Sequence, residues 1–109
     1  MSINTEKAFD ALEIRDTAEH TSKEIFNGEF IVKTLILENG LNQSVSFQCQ
    51  GSAEEGFSNP FDIGAPWSVA ANTNSYQSCS AYIPYWRVIA TCDTAPTSGD
   101  LTVFVMGAN

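Results

Sequence analysis

Apolar and polar positions alternate most cleanly near the end of the chain. Val88, Ala90 and Cys92 are offset from Arg87, Ile89 and Thr91, and Leu101, Val103 and Val105 are offset from Thr102, Phe104 and Met106. A period of two marks strands with one buried face. A Pro/Thr/Ser/Gly turn separates the two runs, so the pattern predicts a closing hairpin, with Pro84 at the start of its first strand.

A second pair of strands is predicted earlier, over Phe30 to Glu38 and Ser44 to Gln50. Asn39-Gly40 lies between them, and both residues tolerate the positive φ of a type I′ hairpin turn. A two-residue loop pairs Glu38 with Leu41, and a four-residue loop pairs Glu38 with Gln43. Either groups Phe30, Val32 and Ile36 with Val45, Phe47 and Cys49. A three-residue loop groups Ile31, Leu35 and Leu37 with that set instead, so turn length decides which row is core. In each case one apolar row of the first strand remains to be covered by the other sheet's rim, the arm or another subunit.

The rest of the chain is less regular. Gly51 to Asn74 reads as loop-rich, with Pro60 and Pro66 interrupting pairing and a short strand over Trp67 to Ala71. Asn72 to Ser80 reads as a solvated polar stretch. Residues 1 to 28 are acidic and poor in large apolar side chains. Phe9 and Leu12 are spaced for a helix face, whereas Leu12 to Arg15 alternates as a strand does. Residues 1–28 are expected to be an N-terminal arm, lying on its own domain or on a neighbour, and residues 29–109 an all-β, antiparallel β-sandwich of jelly-roll-like type.

Three short patterns occur in order along that second region: Asn39-Gly40-Leu41-Asn42-Gln43-Ser44-Val45 running into Gln50-Gly51-Ser52, then Pro84-Tyr85-Trp86-Arg87-Val88, then Ala95 through Val103. Together they resemble the small β-sandwich modules of tailed phages and related viruses that decorate capsids or are appended to tail and fibre proteins. The likeness covers roughly residues 29 to 106 and carries no site residues across. It implies a structural role on the virion, without catalysis.

Composition fits a folded domain and restricts its partners. The chain has 109 residues, 43% of them hydrophobic, enough for one core. Five Lys and Arg against thirteen Asp and Glu give a net charge of −8, which repels a phosphate backbone, so nucleic acid is not expected as a partner. No basic flank with an apolar run opens the chain, and no stretch approaches a membrane span; the expectation is a product of the host cytoplasm that is neither exported by a signal peptide nor bound to a membrane. Asn42-Gln43-Ser44 matches a glycosylation acceptor that, without export, has no use. Cys49, Cys79 and Cys92 form no CxxC pair. Cys49 and Cys92 fall on apolar faces, and Cys79, between two serines, is the candidate for a disulfide to another subunit.

Catalytic chemistry has little to build on. His20, the single histidine, falls in the arm. Glu54, Glu55 and Asp62 could offer a carboxylate pair or, as could Asp93 with Asp100, oxygen ligands for calcium, but no calcium-loop spacing is present. No cofactor or metal is therefore expected, nor an enzyme. The expected function is a capsid decoration or accessory protein docking on the major capsid protein or other virion proteins, as a homo-oligomer such as a trimer. Leu35, Ile36, Trp67, Tyr85, Trp86 and Arg87 are the candidate contact residues. The alternative is a carbohydrate- or host-receptor-binding module, presenting aromatics such as Trp67, Tyr76, Tyr82, Tyr85 and Trp86.

Overall fold

Strands with one apolar and one polar edge need a second layer to cover the apolar side, and here the chain provides both layers. The structure is a computed structural model that describes residues 3–26, 32–79 and 83–108. Nine strands run in order: β1 (Ile3–Leu12), β2 (His20–Thr21), β3 (Ile25–Phe26), β4 (Val32–Asn39), β5 (Val45–Ser52), β6 (Phe61–Val69), β7 (Thr73–Cys79), β8 (Tyr85–Thr91) and β9 (Leu101–Ala108). One sheet has the order β1-β9-β4-β7; the other has β2-β8-β5-β6, with β3 also on β8. All pairs are antiparallel.

The pairing is nested. β1 pairs with β9, β2 and β3 with β8, β4 with β7, and β5 with β6. With β2 and β3 counted as two pieces of one interrupted strand, this is a long hairpin rolled into two sheets, the topology of a jelly roll. Its core contains Phe9, Ile14, Ile25, Leu35, Leu37, Val45, Phe47, Trp86, Val88, Leu101 and Val103 from both sheets.

Both expected hairpins are corrected by this topology. β4 pairs with β7 and β9, never with β5, and β8 and β9 lie in different sheets. The alternating runs are strands, but each turn is a crossover between layers. Gly40 lies outside the left-handed region that a type I′ turn needs. Asn39 is almost fully buried, with its Nδ2 at 3.1, 3.2 and 3.0 Å from the carbonyls of Gln43, Val69 and Ala70, while its Oδ1 accepts from the Leu41 amide at 3.1 Å. Those bonds pin the crossover to the end of β6. The buried row of β4 is consequently Lys33, Leu35 and Leu37, and Ile36 points outward.

The two crossovers also hold each other. The Gly40 amide donates to the Asp100 carbonyl at 2.9 Å, and Asn42 bonds Thr97 through its Nδ2 to Oγ1 at 2.7 Å and its Oδ1 to the amide at 3.0 Å. Gly99, at φ +88°, comes so close that a Cβ there would lie 1.9 Å from the Gly40 carbonyl oxygen. Only glycine fits.

Residues 3–26, expected as an arm, are part of both sheets. Ala8, Phe9, Ile14 and Ile25 join the core. The helix-like spacing of Phe9 and Leu12 is absorbed by two one-residue bulges: Lys7 and Phe9 oppose the adjacent Phe104 and Val103, and Phe9 and Leu12 oppose Val103 and Leu101. The loop-rich reading of 51–74 is corrected in its second half, where β6 forms the edge of its sheet. Phe47 pairs with Trp67 and Cys49 with Ile63, so β6 carries two extra residues around Gly64 and Pro66. An edge bulge tolerates a proline.

Candidate interaction surfaces

Because side chains alternate, each sheet has an outward row as well as a core row. On the four-stranded sheet one cross-strand row reads Lys7, Phe104, Ile36, Tyr76, and the next reads Thr5, Met106, Thr34, Ser78. Ile36, Phe104 and Met106 are partly buried and Tyr76 is 71% exposed. A shallow depression of about 340 Å³ lies among Thr34, Ile36, Asn74, Ser75 and Tyr76. Lys7 Nζ sits 5.7 Å from the Phe104 ring centroid and 3.3 Å from Asp10, bordering the patch with charge.

The outward row of the other sheet is polar and bonded within itself. Arg87 Nε donates to Gln50 Oε1 at 2.8 Å, and Gln50 Nε2 donates to Asp62 Oδ1 at 3.1 Å. The connection after β5 folds back, placing the buried Phe57 ring 4.5 Å from the Arg87 guanidinium carbon. Its Gly56 amide donates to Glu24 Oε1 at 2.5 Å. At one end of this sheet Phe26 and Tyr85 stack with ring centroids 5.3 Å apart.

The sequence-derived contact residues thus separate into two groups. Leu35 and Trp86, each 1% exposed, are core and unable to reach a partner. Trp86 donates its Nε1 hydrogen to the Ile83 carbonyl at 2.8 Å, and buried Lys33 places Nζ 5.7 Å from its ring centroid. Ile36, Tyr85 and Arg87 are on outer faces, and Trp67 is at the sandwich edge, its ring 5.8 Å from Phe47. Cys79 is in β7 rather than a loop; its side chain, and all of Tyr82, lie outside the described residues. Phe104, Met106 and Tyr76 complete the apolar patch, and only their offset from the core row could have marked them.

At the edge where β6 faces β7 the layers part into a cleft of about 280 Å³, lined by Leu35, Ile63, Trp67, Gln77, Ser78 and Trp86 among others. The Trp67 indole N–H is buried away from solvent, without a hydrogen-bond partner among the described residues.

Among the described residues the titratable groups form no assembled catalytic set. His20 Nε2 lies 2.8 Å from Asp16 Oδ1, and that bond holds the Asp16 carboxyl below its ordinary value. Burial, with the Asp16 and Asp93 charges, pushes the Cys92 thiol up, away from the thiolate a nucleophile needs. Among the described residues no three His, Cys, Asp or Glu side chains converge as a metal site would require. Glu54 and Asp62 are engaged separately, with Ser58 and Gln50.

No protein-family model matches this chain. No curated protein matches it either. Among solved structures, the crystal structure of PirA is similar, with a TM-score of 0.56 and 9% identity over 98% of this chain and 93% of that one. At that identity the likeness is one of fold, and the fold is an antiparallel β-sandwich.

Proposed function

We propose that this protein is a non-enzymatic structural subunit of a virus particle, of the decoration or accessory type, whose four-stranded sheet packs its outer face against a neighbouring subunit. The observation that carries the reading is the outward row of Phe104, Ile36 and Tyr76 with Met106 beside it, an apolar patch on an otherwise acidic chain. Contiguous exposed apolar surface of this kind marks interaction sites. The resemblance of the crossover sequences to phage sandwich modules supplies the kind of assembly.

The dimensions are compatible. Four strands spaced about 4.8 Å apart and eight residues long at about 3.4 Å each present roughly 500 Å² in projection. A stable contact needs about 800 Å² of accessible surface per partner. The face supplies most of this, and the loops at its rim supply the rest.

Light scattering of the purified chain, with electron microscopy of the particles it binds, tests the reading. An oligomer or a decorated particle is expected, and Ile36→Glu should weaken it. A strict monomer that binds no particle would overturn the proposal.

A further inference from the structure

The edge of a sheet presents a row of unpaired N–H and C=O groups, and natural proteins blunt such edges with short strands, bulges, proline or charge. Among the described residues the two sheets have four edges, and three of them carry these devices. β2 and β3 are two residues long each. β1 has two bulges and carries Glu6, Lys7 and Asp10. β6 contains Asp62, Pro66 and the extra residues around Gly64.

The fourth edge, β7, has none of them. Thr73–Cys79 contains no proline, glycine or charged residue, and it runs against β4 without a register shift. In an antiparallel ladder alternate residues turn their backbone groups away from the neighbouring strand. Among the described residues, no hydrogen bond from the backbone of residues 73–78 reaches anything but β4. The layers part between β6 and β7, so β6 does not shield that side. Tyr76, at the middle of the strand, keeps 71% of its surface in water.

Charge selects what can pair there. With a net charge of −8, two copies of the chain repel each other wherever their acidic side chains meet. Like charges directly opposite across a strand pair are destabilising, and β7 is the long edge on which none arise. The edge of β1 is a poor match for it, because its bulges break the register. A straight, uncharged strand fits best against itself.

We propose that two copies of this chain pair β7 with β7, antiparallel about a two-fold axis, so that the two four-stranded sheets become one of eight strands. Tyr76 lies opposite its own copy and Asn74 opposite Ser78, the register in which the whole of Thr73–Cys79 overlaps. Cys79 then stands opposite Thr73, about 20 Å along the strand from the other Cys79, so no disulfide holds the pair. The line of contact is about 24 Å long and one sheet, about 10 Å, deep, or roughly 240 Å² in projection. A stable contact needs about 800 Å² per partner, so the dimer is a weak one. The pairing does not rest on the docking of the outer face, but it serves that docking: the axis is perpendicular to the sheet, both outer faces look the same way, and their apolar rows join at Tyr76.

Sedimentation in reducing buffer, with hydrogen exchange followed by NMR at about 50 μM and about 1 mM, tests the proposal. A dimer that grows in with concentration is expected, and alternate amides of β7 should exchange at least about twofold more slowly in the concentrated sample. Exchange needs no variant. Asn74→Lys with Ser78→Lys, both at exposed positions, sets lysine opposite lysine and should weaken pairing about tenfold, whereas Asn74→Lys with Ser78→Glu sets lysine opposite glutamate and should restore it. A chain still monomeric at about 1 mM leaves this edge to a strand of some other protein and overturns the proposal. A dimer whose β7 amides exchange as fast as the monomer's is held elsewhere, which overturns the edge pairing and leaves the outer-face docking standing. Two variants that pair equally well rule out the register centred on Tyr76, and the proposal with it.

Discussion

On the five-stranded sheet the outward row contains Gln48, Gln50 and Arg87, and the chain lays Phe57 over Arg87 and ties Gly56 to Glu24. On the four-stranded sheet the outward row contains Ile36, Phe104 and Met106, and Tyr76 beside them keeps 71% of its surface in water. One face is polar over its middle, where it receives an aromatic cover from its own connection, and bears the exposed Phe26 stacked on Tyr85 at one end. The other is apolar and open. Alternation makes an outward row on every strand, but the content of that row decides whether a face is finished by its own chain or by a partner.

This contrast can be broken most severely from the end that both sheets share. Gly99→Ala would force a methyl group against the Gly40 carbonyl at a positive φ, separating the crossovers that fix the sheets together. A loss of about 3 kcal/mol is expected, with both faces failing in one transition. Urea denaturation followed by Trp fluorescence would show it; an unchanged midpoint would mean the two crossovers are not closely apposed.

Ile36→Glu combined with Phe104→Glu addresses the open face alone. Association should weaken about 100-fold or more, while stability changes by no more than about 1 kcal/mol, since both side chains lie on the outer face and are only partly buried. Gln48→Glu on the opposite face should leave association intact. Sedimentation of both variants gives the answer, and equal losses would erase the distinction between faces.

Arg87→Ala removes the stacking on Phe57 and the bond to Gln50, and should cost about 1 kcal/mol without altering assembly. Hydrogen exchange should rise locally over residues 53–58. The smallest effect concerns acid stability. Asp16 is held below its ordinary pKa by His20, so the pair's contribution is present above the unfolded carboxylate value, near 3.8, and disappears as pH falls through the folded value. Asp16→Asn should lower the melting temperature slightly at neutral pH and leave it unchanged at the acid end, because this carboxylate is solvent-exposed.

Much of the strand content was legible because β5, β8 and β9 alternate strictly, and the class of fold followed from strands bounded by turn residues. The sheet pairing was not legible. Asn39-Gly40 has the composition of a tight turn, but the Asn39 amide binds, besides the nearby Gln43 carbonyl, those of Val69 and Ala70, long-range interactions that no local window contains. β7 escaped notice because its inward positions, Ser75 and Gln77, are polar where the sandwich opens. The first strand was masked by bulges that let Ala8 and Phe9, consecutive in sequence, both reach the core. For the candidate surfaces, the leftover apolar row was foreseen, but not that Leu35 belongs to the core and Ile36 to the patch. The cleft, which needs two distant edge strands, had no sequence signature.

The last strand occupies an inner place: β9 stands between β1 and β4. Its first neighbour is made nearly a hundred residues earlier, as the pairing of Ile3 with Ala108 shows. During synthesis, therefore, β1 has no ladder to join until β9 has been made, and the four-stranded layer can assemble only after that. Contacts so distant along the chain slow folding, and the greasy halves of β1 and β4 stay open to chaperones or premature self-association throughout that wait.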